Sequence, residues 1–587
     1  MFPCRLPFRG LLLAGLVGLP LAAPAVPLEI ELEGLSEALR ANVEARLSLR
    51  IEQQRAREQG RELEAEEIER LHDQASRDIR DALQPFGHYR PQIEDRLERA
   101  EGAPWRAVYR VTPGEAVRLA SVERQLEGPG AEDGALRTLL EAGDPRPGQP
   151  LYHPAYEALK ARVLSGALRL GYLDARWRRA ELRVQPAEAR ADIFLTLDSG
   201  PRYRFGEVIL EQSVLREDRL RAYVDLRPGE PFDPQRLLEL QFTLTDLGYF
   251  QTVEIEPLRD QVDAEQRVPV RVRASPRPPR RYDTGVGYGT DTGARLSVAG
   301  EFRQLNDRGH QLRAEARLSE IKNTLGAEYG IPVGRRSIDR LRFTAASEAE
   351  RLEDGDTFKY LVGSSLTRQV GRWQRRVYLE FAHEESTLGG AEITSDLFTP
   401  GLSFTRTEAD DPIHARRGWY LYAELDGAQR GVLSNASFAQ TRWLTRAAWP
   451  LGARARLLGR AELGASVVED FGELPASQRF FAGGDQSVRG YAYQSLGPRD
   501  AQGQVIGGRY LATFSLEVER SLWGNWGAAL FADAGGAGDR PGLPLAKALG
   551  LGLRYRSPVG SVQVDLAHPR DEGLSGVRLH LGVRVGL

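Results

Sequence analysis

Sulfur is nearly absent from this chain, which has one cysteine and one methionine in 587 residues. Cys4 stands ahead of the first apolar run, so neither a disulfide framework nor thiolate chemistry is available to the sequence that follows. Nowhere is there a stretch near the ~18 to 20 uninterrupted apolar residues that a spanning helix needs. An excess of one charge is missing too: the formal net charge is -3 and the pI about 6.3, which leaves no electrostatic footprint for nucleic acid. GxSxG, HExxH, GxxxxGK and paired metal-ligand spacings are all absent, and the eight histidines are scattered. No enzyme, cofactor, metal site or nucleic-acid partner is therefore expected. GVGYGT at Gly285 to Thr290 looks like a nucleotide loop only superficially, because it lies in a strand pattern with no helix after it.

What is present begins with a leader. Arg5 and Arg9 precede the apolar run Leu11 to Leu21, and Ala23-Pro24-Ala25 follows. Residues 1–25 therefore read as a secretory signal peptide. A secreted chain without a spanning helix is either soluble or a β-barrel.

The next half repeats itself. FGHYRPQIE at Phe86 to Glu94, LGYLDARWR at Leu170 to Arg178 and LGYFQTVEI at Leu247 to Ile255 each end a helical pattern and begin a strand. Gly87, Gly171 and Gly248 fall where a helix end needs a left-handed residue. Amphipathic runs precede them at Glu64 to Gln84, Pro154 to Leu170 and Pro234 to Leu247. The order is strand, helix, helix, strand, strand at a spacing of about 75 to 85 residues, well above ordinary solenoids. Three small α+β modules are expected at 26–113, 114–200 and 201–280, the last including a linker. Their exposed sheet edges could accept an added strand.

From about Arg281 onward period-two alternation takes over. Val577, Leu579, Leu581, Val583, Val585 and Leu587 share one face, and Arg578, His580 and Arg584 the other. Leu312 to Leu318 alternate with Arg313, Glu315 and Arg317, Tyr510 to Val518 with Glu517, and Leu549 to Tyr555 with Arg554. An arginine at a bilayer midplane costs about 2–4 kcal/mol, so these charges are expected to face a wet lumen. His568 and His580 then read as lumen or turn residues. Turns are expected at Asn306-Asp307, Asp354-Gly355, Asp426-Gly427, Gly535-Gly536 and Ser557 to Gly560. The fold expected is α+β modules followed by an integral outer-membrane antiparallel β-barrel of about sixteen strands, residues 281–587.

Three late motifs carry a resemblance. RFFAGGDQSVRGY at Arg479 to Tyr491, FADAGG at Phe531 to Gly536 and LGLGLRYRSPVGSVQVDLAHP at Leu549 to Pro569 resemble the VRGF/Y loop, the FxDxG segment and the closing pattern of the BamA and TamA superfamily. The repeats resemble its POTRA domains. Three modules and the long loop form resemble its TamA branch, the outer-membrane part of a translocation and assembly module. The resemblance implies an inward loop at about 473–507 with Val488, Arg489, Gly490 and Tyr491 as a latch. Asp533 would be its partner on the barrel wall, and Gly483 and Gly484 the loop glycines. It implies a Gram-negative outer membrane with the modules in the periplasm, an inner-membrane-anchored TamB-like partner, unfolded outer-membrane clients such as autotransporters, and contact with outer-membrane lipid.

A closed barrel must also pair its first strand, about Tyr282 to Thr290, with its last, Val577 to Leu587. Gly285, Gly287 and Gly289 lie in one, Gly582 and Gly586 in the other. Glycine weakens strand pairing, which would suit a seam that opens sideways for an incoming strand, and it equally suits curvature or crowding. The function expected is an insertase or translocase working without catalysis. A two-partner secretion pore, a passive channel and a lipid-trafficking component are the alternatives.

Overall fold

The computed structural model describes residues 27–100, 103–291, 293–570 and 576–586. The leader at 1–25, with Cys4, lies outside the described residues, as does Leu587.

Each N-terminal module is a three-stranded sheet backed by helices. The first has β1 (Leu28–Glu33), α1 (Glu37–Arg46), α2 (Ser48–Glu58), α3 (Ala65–Leu83), β2 (Gln92–Glu98) and β3 (Trp105–Thr112). Its sheet order is β1-β3-β2, with β1 parallel and β2 antiparallel to the central strand. The second has β4 (Arg118–Glu127), α4 (Gly134–Glu141), α5 (His153–Arg169), β5 (Arg176–Gln185) and β6 (Arg190–Asp198) in the order β4-β6-β5. The third has β7 (Arg204–Glu211), α6 (Glu217–Arg221), α7 (Pro234–Asp246), β8 (Phe250–Pro257) and β9 (Arg267–Pro276) in the order β7-β9-β8. The first module thus carries three helices where two are expected, because the stretch after Leu47 buries Leu49, Gln53 and Ala56 and becomes a helix of its own.

Local chemistry explains these elements. Helix α3 buries Ile68, Leu71, His72, Ala75, Ile79, Ala82 and Leu83, a 3.6-residue stripe, and opens on a reciprocal Glu64–Glu67 capping box. Asp133 caps α4 by accepting from the Ala135 and Leu136 N–H groups. Gly171 has φ +97°, and a Cβ there would lie 2.6 Å from the Tyr203 carbonyl oxygen. Its own carbonyl accepts the Tyr203 N–H at 2.7 Å, and that of Gly87 the Val117 N–H at 2.9 Å. The glycine that ends each of these helices therefore also seats the residue that leads into the first strand of the next module, β4 or β7.

The chain forms two compact units. One ends at Glu207 and takes in Arg227–Gln235 and Arg259–Pro269; the other holds Val208–Leu226, Arg236–Leu258 and the chain from Val270 on. Within the second, the turn after the second barrel strand receives the third module's helical side. Tyr249 donates its hydroxyl to the Gly309 carbonyl at 2.5 Å, and the Arg216 N–H donates to the Asp307 carbonyl at 2.9 Å.

Sixteen antiparallel strands follow, from β10 (Arg280–Gly289) to β25 (Arg578–Arg584), each paired with its neighbour in chain order. Between them run β11 (Gly293–Phe302), β12 (Gln311–Ser319), β13 (Lys322–Pro332), β14 (Arg340–Leu352), β15 (Gly355–Val370), β16 (Trp373–Leu388), β17 (Ala391–Ala409), β18 (Gly418–Ala428), β19 (Phe438–Leu451), β20 (Ala455–Val468), β21 (Tyr510–Ser521), β22 (Trp526–Gly538), β23 (Ala546–Ser557) and β24 (Gly560–Pro569). Phe514, Leu516, Leu549, Leu551 and Leu579 are exposed on the outer face, while Glu517, Glu519, Arg554 and His580 are buried on the inner one. Lipid-facing apolar residues and an inward polar face are what a spanning barrel requires.

Two expected turns are strand instead. Asp426-Gly427 lies inside β18 and Gly535-Gly536 inside β22. A Cβ at Gly427 would sit 2.5 Å from the Phe438 carbonyl oxygen, and one at Gly535 would sit 2.9 Å from that of Ala512. These glycines let neighbouring backbones come close rather than reverse the chain. The last strand is also shorter than the alternation suggests. Pairing stops at Arg584, and Gly586, at φ +68°, donates its N–H to the Ile413 carbonyl at 3.1 Å.

Candidate functional site: the inward loop and the seam

Between β20 and β21 the chain makes a loop of residues 469–509, longer at both ends than the motif alone implies. Loops of such length inside a compact domain are usually functional. Its first part is braced by Arg479, whose guanidinium donates to the carbonyls of Leu474 at 2.8 Å, Phe471 at 2.9 Å and Ile506 at 3.0 Å. The Ser477 N–H donates to Glu384 on β16 at 3.0 Å, and Tyr493 donates to Glu350 on β14 at 3.0 Å.

Arg489 is the centre of the opposite contact. Its Nε donates to Asp533 Oδ2 at 2.8 Å, Nη2 to Asp533 Oδ1 at 3.0 Å, and its backbone N–H to the same carboxylate at 3.1 Å. Nη1 reaches Glu517 at 2.8 Å and Asp565 at 2.9 Å, and the guanidinium lies 3.4 Å from the centre of the Phe531 ring. The arginine is only 5% exposed. Its planar fork supplies the geometry that this many acceptors need, which an ammonium could not.

Glu517 and Asp565, with Glu519 beside them, are balanced by further arginines, whereas the ion pair of Asp533 is with Arg489. Arg554 donates to Glu517 at 2.9 Å and pairs with Asp565, Arg584 lies 3.4 Å from Glu517 and from Glu519, and Arg456 pairs with Glu519 at 2.6 Å. Arg460 of β20 grips the loop differently, donating to the carbonyls of Gln486 and Ser487. Glu517 and Arg554 are legible in the sequence as lumen charges. Asp565 stands within the closing motif, and Ser515, whose hydroxyl accepts from Arg489 Nη2 at 3.2 Å, lies on β21, yet nothing local marks either as a partner of Arg489.

The other expected loop residues take these places. Val488 is fully buried, and the Tyr491 hydroxyl donates to the Lys547 carbonyl at 3.4 Å. Gly490, at φ +95°, sits against Pro569 and Ala548. Gly483 and Gly484 have φ +105° and +99°, and a Cβ on Gly484 would meet Asp291 at 2.6 Å.

The seam lies beside the loop. No ladder joins β10 to β25 among the described residues, so the sheet is nearly but not fully closed. The Leu581 N–H instead donates to the Thr290 hydroxyl at 3.1 Å. Gly285 and Gly287 face the Ser297 and Arg295 side chains of β11, while a Cβ on Gly582 would meet nothing within 4 Å. Gly289 ends β10, and Gly586 falls beyond the last ladder.

Asp291, Asp485 and His580 bring ligand-type atoms within 4.8 Å of one another. Burial, and then the Asp485 carboxylate beside it, push the Asp291 carboxyl up to about 6. The Gly490 N–H points at His580 Nε2 at 2.8 Å, which makes that nitrogen the acceptor; Nδ1 then carries the proton and donates to Asp485. Both ring nitrogens are thus occupied, and the trio is a hydrogen-bond cluster.

Residues 304–582 match the family model described as the Omp85 superfamily domain, and residues 29–113 the one described as POTRA domain TamA domain 1. Residues 203–275 match the POTRA model described as surface antigen variable number repeat. The outer membrane protein assembly factor BamA of Nitratidesulfovibrio vulgaris is 27% identical over 393 residues, covering 62% of this chain and 47% of that protein. That of Neisseria meningitidis serogroup B is 24% identical over 436 residues, covering 65% and 53%. The chain spans about half the length of these relatives. The solved structure of BamA from Haemophilus ducreyi lacking POTRA domains 1-3 superposes with a TM-score of 0.64 at 17% identity, covering 78% of this chain and 98% of that one, a likeness of fold.

Proposed function

From its place in the Omp85 superfamily, as an outer-membrane barrel behind periplasmic POTRA modules, we propose that the chain is an insertase or translocase of the TamA type. It would act by opening the seam sideways so that a strand of an unfolded client pairs with the freed edge. The observation that supports this most is the β10–β25 boundary, which among the described residues lacks a ladder while every other neighbouring pair of barrel strands has one. Unpaired backbone at membrane depth costs several kcal/mol per group, so an incoming strand is strongly favoured there. No bond is made or broken in the client.

An antiparallel register run on from the Thr290–Leu581 contact sets Tyr288 beside Val583, both exposed on the outer face. Cysteines at these two positions should form a disulfide that abolishes client assembly, with recovery on reduction. Full assembly by the oxidised protein would rule out lateral opening. The match of residues 29–113 to a TamA module supports a TamB-like, inner-membrane-anchored partner and autotransporter-like clients. Such a partner should copurify with the full chain and be lost when 27–113 are deleted.

A further inference from the structure

The two lips of the seam meet directly at one hydrogen bond and otherwise through the loop. The Thr290 hydroxyl, which accepts the Leu581 N–H of β25, donates onward to Asp485, at 3.2 Å from each carboxylate oxygen. Asp485 is a loop residue, and its backbone N–H donates to Asp291, in the turn between β10 and β11, at 2.5 Å. The Asp485 carboxylate also accepts the hydrogen bond of His580 Nδ1 from β25, and His580 Nε2 accepts the Gly490 N–H. The first hairpin is therefore tied to Asp485 twice, and the last strand is tied to both Asp485 and Gly490.

These two loop positions bracket Arg489. The segment that the arginine holds against Asp533, Glu517 and Asp565 is thus the segment that holds both lips. None of these links is a strand ladder. Apart from the direct Leu581–Thr290 bond, all are made to Asp485 or Gly490 and separate if residues 485–490 leave the wall.

We propose that Asp485, His580 and Thr290 form a bolt across the seam, so that withdrawal of the loop segment and opening of the seam are one coupled event. The proposal rests on the reading of the seam as the moving part. It assigns Asp485 and His580 as positioning residues that set the state of the seam and touch no client atom. Coupling of this kind must be reciprocal: a bolted seam holds the loop, and a locked seam protects it.

Spin labels on cysteines replacing Tyr288 and Val583 report the distance between the lips of the full chain in detergent or bilayers. Asp485→Ala and His580→Ala should each raise the open-to-closed ratio about tenfold, the equivalent of about 1.4 kcal/mol. Thr290→Val removes one hydroxyl and leaves the Arg489 contacts untouched. It should give a smaller rise and serves if the larger truncations fail to fold. Hydrogen exchange at residues 485–490 should slow when a disulfide between cysteines at 288 and 583 is closed. An unchanged label distance in all three variants, or loop exchange indifferent to the disulfide, overturns the bolt. A wider seam with unaltered client assembly upholds the bolt and refutes the gating function instead.

Discussion

At the scale of single residues the arginine network carries the argument. Arg489 is buried against three carboxylates, so its removal leaves the buried Asp533 without its ion pair and takes from Glu517 and Asp565 one of theirs. Breaking a buried pair in this way costs about 3–5 kcal/mol. Arg489→Ala should therefore lower the thermal stability of the barrel, seen as an earlier loss of heat-resistant migration on gels. Arg489→Lys should recover only part of the loss, since an ammonium lacks the fork that spans Asp533, Glu517 and Asp565. The motif alone suggests a single pair, for which exchanging the charges of Arg489 and Asp533 would restore function. With Glu517 at 2.8 Å and Asp565 at 2.9 Å, the combined Arg489→Glu, Asp533→Arg variant should instead recover little activity, because position 489 would still face two carboxylates. A full recovery in an assembly assay would show that those two contacts carry no weight. The arginine and Asp533 are legible because both sit in short ordered motifs. Asp565 and Ser515 are not, since strand alternation says which way a side chain points and not what it meets.

At the scale of elements, glycine means different things at different sites. Gly171 ends α5 with φ +97° and has the Tyr203 carbonyl within 2.6 Å of where a Cβ would stand. Gly171→Ala should destabilise the second module by at least about 1 kcal/mol, from the left-handed backbone and the clash together, as read by denaturant unfolding of the modules. Gly582 has open space around it, so crowding does not demand a glycine there. Gly582→Thr should fit and strengthen pairing at the seam. Narrower lip distances and slower client assembly are expected, and an unchanged distance would show that glycine at this position does not set the strength of the seam. The expected turns at Asp426-Gly427 and Gly535-Gly536 show the same ambiguity, because a glycine pair reads alike whether the chain reverses or two strands crowd together. The helix at Ser48–Glu58 escaped the repeat pattern since the other modules have no counterpart to align with it.

At the scale of the whole molecule, the third module's helical side groups with the barrel and the first two modules group apart from it. A chain beginning near Pro201 should still fold as a heat-resistant barrel, because the ties of Tyr249 to Gly309 and Arg216 to Asp307 are kept. Deletion of the third module as well should lower barrel stability, by the same gel assay. The period of the side-chain pattern, two in strands and 3.6 in helices, is a property of neighbours in the chain. By itself, then, the sequence determined the three modules, the sixteen-stranded barrel, the inward face and the loop with its arginine. Only the tertiary structure decided that Thr290 and Asp485, 195 positions apart, would meet, that three carboxylates would share Arg489, and that the last strand would stop at Arg584. Those contacts exist only once the sheet has curled round and the loop has entered it, and no local pattern encodes which distant groups such closure brings within hydrogen-bonding distance.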